Sequence, residues 1–157
     1  MTTDTSPGGD LRPVRLAGRV IVLDPANRVL LLRHDSRHYG LHWATPGGGL
    51  EDGEDFHAAA TRELREETGW DDVAIEPGLV LEDARARGPA SEFSKTVHRF
   101  FVAHVSIPQR QVMDVDGMHA SDGILGYRWW TRPELESTAE TIWPPTLLTV
   151  LHTLISQ

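Results

Sequence analysis

The chain has 157 residues, with 39% apolar and 24% charged residues and a formal net charge of −8. That length fits one domain with a core of its own, the composition is that of a globular protein in water, and no apolar run reaches the ~18 residues of a membrane-spanning helix. The acidic balance weighs against stable nucleic-acid binding, the lack of cysteine excludes disulfides and thiolate chemistry, and the N-terminus MTTDTSPGGD has no secretory pattern, so the expected location is the cytoplasm.

Residues 1–13 are small and polar with Pro and Gly, and read as a flexible tail before one domain over 14–157. Residues 14–24 (VRLAGRVIVLD) read as a strand. Asp24-Pro25-Ala26-Asn27 is a turn by its chemistry, and Val29–Arg33 is a nearly all-apolar strand with the pattern of burial on both faces. A hairpin between the two strands is the economical arrangement. His34 to Ala44 reads as a polar loop holding Arg37, His38, Tyr39, His42 and Trp43; its three histidines follow no zinc-ligand spacing. Thr45-Pro46-Gly47-Gly48-Gly49 turns sharply and lets a ligand approach the backbone. Gly47, Gly48 and Gly49, with Arg33 and Trp43 nearby, are candidate substrate contacts.

A helix is expected over about Glu54–Thr68, stopped by Gly69. Beyond it, 73–75 and 79–87 read as extended, and a turn at 88–94 leads into a strand core at 97–105, forming a hairpin. A long loop follows at 107–123 with Asp114, Asp116 and Asp122, then a strand over 124–131 whose Trp129 is expected in the core. Pro133 opens a short helix, and Pro144-Pro145 introduces a last one with an apolar stripe of Leu147, Leu148, Leu151, Leu154 and Ile155.

The chemistry concentrates on the first helix. Glu63, Glu66 and Glu67 stand at i, i+3 and i+4, so their carboxylates project from one face with Cβ atoms about 5–6 Å apart. Three like charges at that spacing repel one another unless a positive charge lies between them. Oxygen donors suit Mg²⁺ or Mn²⁺, which keep coordination positions open for water and phosphate. The competing interpretation is a solvated helix laced with ion pairs such as Arg62–Glu66.

Gly48, Glu54, Arg62, Glu63, Leu64, Glu66, Glu67 and Gly69 fall in register with the Nudix hydrolase signature G-x5-E-x7-R-E-U-x-E-E-x-G-U, which this stretch resembles. Trp70 departs at the last position, where an aliphatic residue is usual. The resemblance implies an α/β fold with a mixed β-sheet sandwiched between helices, and divalent-metal-dependent hydrolysis of a nucleoside diphosphate linked to X, or of a nucleoside triphosphate. It implies Glu63, Glu66 and Glu67 as metal ligands, Arg62 as the residue that orients a carboxylate, and Glu54 as a support for the helix and its charges. Glu66 or another carboxylate is the expected general base. Related enzymes often add an acid from the loop before the last strand, for which Asp122 ranks ahead of Asp114 and Asp116. The proline and tyrosine that mark ADP-ribose and dinucleoside polyphosphate hydrolases are replaced by Arg85 and Arg87. The alternative is a regulatory module that binds a nucleotide without turnover; such modules commonly carry degraded signatures, and this one is intact. The isomerases of the same family need a cysteine that the chain lacks. The expected partner is a small nucleotide-type molecule, with the protein a monomer or homodimer.

Overall fold

A computed structural model describes residues 9–37, 39–114 and 117–155. The order is β1 (Val14–Leu23), β2 (Val29–Ser36), β3 (Gly40–Ala44), β4 (Gly47–Gly49), α1 (Phe56–Thr68), β5 (Leu81–Ala86), β6 (Lys95–His104), β7 (Ile124–Trp130), α2 (Arg132–Ser137), β8 (Ile142–Trp143) and α3 (Leu147–Ile155). His38 and Asp116, singled out above, lie outside the described residues, as do residues 1–8 of the expected tail. Within the rest of that tail, Arg12 Nη1 donates to the carbonyls of Gly88 and Ser91 at 2.6 and 2.8 Å.

All the strands belong to one mixed sheet, with the path β5-β6-β1-β2-β3-β8, β4 added on β1 and β7 on β2. β1 runs parallel to β6 along its whole length, from Val14↔Lys95 to Leu23↔His104. Its other edge divides: Ala17–Arg19 pairs with β4, and only Leu23↔Val29 joins it to β2. The expected hairpin is therefore a single antiparallel pair at the turn, where Asp24 Oδ1 accepts the N–H groups of Ala26 and Arg28. Beyond it β1 and β2 diverge, and the functional cavity lies in that divergence.

Alternation along the strands divides the core. Val20 and Val22 of β1, with Leu30 of β2, pack under α1 against Ala60, Leu64, Trp70 and Trp129. Ile21, Leu23 and Leu31 point the other way, to Leu135 of α2, Leu147 and Leu151 of α3, and Trp130. The sheet is thus sandwiched between helices, and β2 is buried on both faces as its composition predicts. The stretch expected as a polar loop is instead the end of β2 and all of β3, paired from Leu32↔Ala44 to Ser36↔Gly40. Residues 73–75 form only an isolated bridge, Ile75↔Ala103. Among the described residues, no helix is long and apolar enough to cross a membrane.

Candidate active site

The carboxylate-bearing helix begins two residues later than expected. Asp55 is its N-cap and accepts the Ala58 N–H; Gly69, in the left-handed conformation, closes it through a bond to the Arg65 carbonyl. Its approach to β1 depends on Gly18, where a Cβ would strike the Phe56 carbonyl and the Ala60 nitrogen. β4 then runs between helix and strand with no side chains. The Gly47 N–H donates to Glu67 Oε1 at 2.8 Å, and a Cβ on Gly48 would lie 2.5 Å from the Glu63 carboxyl carbon. Glycine is needed here because carboxylates press directly on backbone.

Arg62 holds this arrangement together. Its Nε and Nη2 grip Glu54 at 2.8 and 3.0 Å, Nη2 also reaches the Gly49 carbonyl at 2.8 Å, and Nη1 meets Glu63 at 3.0 Å and Glu66 at 3.2 Å. Glu54 in turn accepts the Glu51 N–H. One planar guanidinium therefore fixes the loop ahead of the helix, the glycine strand and two of the three glutamates.

The three carboxylates differ in surroundings. Glu66 is exposed, Glu63 half-buried and Glu67 buried. Burial, then the charge of Glu63, pushes the Glu67 carboxyl up to about 8, although Arg19 and the Gly47 N–H act against the shift; Asp122 adds to it. Burial also raises Glu63, opposed by its bond to Arg62. Among the described residues, no three acidic or histidine side chains close on a single point. The carboxylates line one wall of a cavity and offer oxygen donors, and that chemistry fits Mg²⁺ or Mn²⁺.

The cavity measures about 400 Å³ and is lined by Gly47, Gly48 and Gly49, by Glu63, Glu66 and Glu67, and by Asp122 from the loop ahead of β7. That loop is tied to the helix: the ring of His119 donates from Nε2 to the Glu67 carbonyl at 2.7 Å, and the His119 N–H donates to Asp114 at 2.9 Å. Asp114 thus braces the loop, while Asp122 acts on the charge of Glu67. Arg33 and Trp43, expected as substrate contacts, do not line the cavity. They form a cross-strand pair on the face opposite His34 and His42, with Trp43 edge-on to Trp130 in the core and its Nε1 donating to Glu140.

Several lining residues escaped the sequence reading. Arg15 and Arg19 of β1, Arg85 at the end of β5 and Arg87 just beyond it line the same cavity, as do His34, His42, His98 and Trp143. Arg19 is the link: its Nη1 donates to the Thr45 carbonyl at 2.9 Å, its guanidinium lies 5.1 Å from the Trp143 ring, and its charge reaches Glu67 and Glu63. Burial, then Arg19, lowers His34 to about 4, so that ring is neutral at neutral pH. The alternation Arg15, Arg19 on one strand and Arg85, Arg87 on another was the available signal, but without strand order nothing joined them.

Residues 13–151 match the NUDIX domain family. A protein named RNA pyrophosphohydrolase from Novosphingobium aromaticivorans is 38% identical over 73 residues, 46% of this chain and 44% of that one, so the match spans under half of that relative. The RNA pyrophosphohydrolase of Caulobacter vibrioides is 26% identical over 137 residues, covering 80% of this chain and 74% of that one. The crystal structure of a MutT protein from Methanosarcina mazei Go1 superposes with a TM-score of 0.68 at 16% identity, over 92% of this chain and 95% of that one, and so speaks for the fold alone. With the family match covering most of the chain, this protein belongs to the NUDIX family.

Proposed function

We propose that the protein hydrolyses a phosphoanhydride bond in a nucleoside diphosphate linked to X, or in a nucleoside triphosphate, with Mg²⁺ or Mn²⁺ as cofactor. The observation that carries this reading is the single cavity joining Glu63, Glu66, Glu67 and Asp122 to Arg15 and Arg19. Those four carboxylates would hold the cations, which when bound supply charge neutralisation of the phosphates and a more acidic water. The relatives named RNA pyrophosphohydrolase point to the same bond type.

The residues of the chain then divide the work. Arg15 and Arg19 bind phosphate oxygens, and the side-chain-free β4 lets the phosphates approach the backbone. Arg62 keeps Glu63 and Glu66 in place through contacts at 3.0 and 3.2 Å. In the reaction, a water oxygen bonds to phosphorus as the bridging P–O bond breaks. One water proton passes to a carboxylate of the wall, and the departing phosphate takes up a proton in its place. Glu66, the most exposed of the three glutamates, is best reached by that water.

A panel of nucleoside diphosphate derivatives and triphosphates, assayed with Mg²⁺ or Mn²⁺ for released phosphate products, tests the reading. Turnover of at least one class is expected. Affinity for these compounds without turnover would replace it with the nucleotide-binding module.

A further inference from the structure

Beyond Arg19, the cavity is lined by three further arginines set in an ordered row. β1 and β6 set Arg15 opposite Thr96, and β6 and β5 set Thr96 opposite Arg85. Arg15, Thr96 and Arg85 therefore stand side by side on three adjacent strands, each step about 4.7–4.9 Å. Arg87 donates from Nη1 to Thr96 Oγ1 at 2.9 Å and joins the row from the end of β5. Thr96 is 2% exposed and His98, one pair along the same face, 7%, so the floor of the row is polar and buried.

Two of these cations lack an ionic partner that would explain them structurally. Asp83 engages Arg85 at 2.8 Å, yet among the described residues no carboxylate lies within ion-pair distance of Arg15 or Arg87. His98 adds no further positive charge: burial, then Arg19, Arg15, Arg85 and Arg87, drives its ring to about 3 and keeps it neutral. Like charges gathered over a buried polar floor repel one another, and an anion relieves that repulsion. The sheet order puts the row on one side of β1 and the stacked rings of His34 and His42 on the other.

We propose that Arg15, Arg85 and Arg87, set around Thr96, form a subsite for a phosphate group beyond the phosphoanhydride bridge that is cut. The preferred substrates then carry a chain of three or more phosphates, in contrast to a diphosphate joined to a neutral group. This rests on the hydrolase reading of the same cavity.

Diadenosine diphosphate and diadenosine tetraphosphate share their nucleosides and differ only in the phosphate chain. The test is the ratio of kcat/KM for the tetraphosphate over the diphosphate in wild type, in the double variant Arg85→Gln/Arg87→Gln, in Arg15→Gln, and in Arg128→Gln, whose guanidinium pairs with Glu134 away from the cavity. The expected results are a wild-type ratio of at least about tenfold, a drop of about tenfold or more in the double variant, mainly through KM, a drop in Arg15→Gln, and no change in Arg128→Gln. A wild-type ratio near one, an unaltered ratio in the double variant and Arg15→Gln, or an equal drop in Arg128→Gln would overturn the subsite. If neither dinucleotide is cut, the hydrolase reading is decided separately, by the wider panel of diphosphate derivatives and triphosphates. Calorimetry with inorganic tripolyphosphate then decides the subsite: binding at least about tenfold weaker in the double variant supports it, and equal or no binding refutes it.

Discussion

The backbone N–H of Gly47 donates to the carboxylate of Glu67 at 2.8 Å, joining the glycine strand to the acidic helix. Gly47 has a φ of +150°, and a Cβ there would strike the Gly18 carbonyl, so this contact exists only with glycine at the position. The glycine strand and the acidic helix are therefore one unit.

Two alanine substitutions separate the roles of neighbouring glycines. At Gly48 the added methyl meets the far end of the Glu63 side chain, which can swing aside; at Gly18 it meets the helix backbone, which cannot. Gly48→Ala is expected to keep the fold and lower kcat on the order of 100-fold by displacing a carboxylate. Gly18→Ala is expected to lower stability by about 1–3 kcal/mol through overpacking. Urea unfolding alongside steady-state kinetics reads both, and the reverse pattern would contradict the packing described for β4.

Arg62 is expected to matter for stability as well as activity. Arg62→Ala removes the guanidinium that donates to Glu54 and to the Gly49 carbonyl, with an expected loss of about 2–3 kcal/mol. Arg62→Lys keeps the charge but cannot reproduce the two-pronged grip on Glu54, so it should recover less than half of that loss. Full recovery by lysine, measured in urea, would show that charge alone matters here.

The intact signature made the acidic helix legible in the sequence, since i, i+3, i+4 spacing defines a helix face without any tertiary information. β2 was legible too, because a continuous apolar run implies cover on both faces, and Trp129 lies in the core as its alternation suggested. The polar stretch before the glycines misled for a physical reason: His34 and His42 face the cavity and Leu41 is exposed, so only Trp43 and Ala44 at the end of β3 are buried, too short an apolar pattern to mark a strand. Arg33 and Trp43 were assigned to the ligand by proximity in sequence, when alternation turns them to the other face. The cationic wall could not be read because Arg15 meets Thr96 and Arg85 only through the parallel pairing of β1 with β6.

The raised Glu67 carboxyl ties stability to pH and to the cation. Its folded value of about 8 lies above the ordinary ~4.3, so its contribution is present in full below the ordinary value and is lost as pH rises through about 8. Without cation, wild-type stability should therefore fall relative to Glu67→Gln across that window. On the proposed function, in which the cation is held by the ionised carboxylate, adding Mg²⁺ should raise the wild-type Tm more when no proton has to be displaced, near the upper end of the window, than near pH 6. A wild-type to Glu67→Gln difference independent of pH in chelator would refute the assignment.

Asp122 and Asp114 should behave differently although both belong to the loop ahead of β7. Asp122→Asn removes a charge that lines the cavity and should lower activity, or the apparent affinity for Mg²⁺, by about 10–100-fold. Asp114→Asn keeps an oxygen that can still accept the His119 N–H, so the change should stay within about threefold. A loss confined to Asp114→Asn, in assays across metal concentration, would reverse the ranking.

The most direct test of water attack at phosphorus in a cation-dependent site is hydrolysis in ¹⁸O-labelled water, with products read by mass spectrometry and the reaction repeated in excess chelator. The account predicts one ¹⁸O atom on a phosphate product per turnover, and no turnover in chelator. Label appearing on a carbon-bound oxygen, or undiminished turnover with the cations removed, would contradict it.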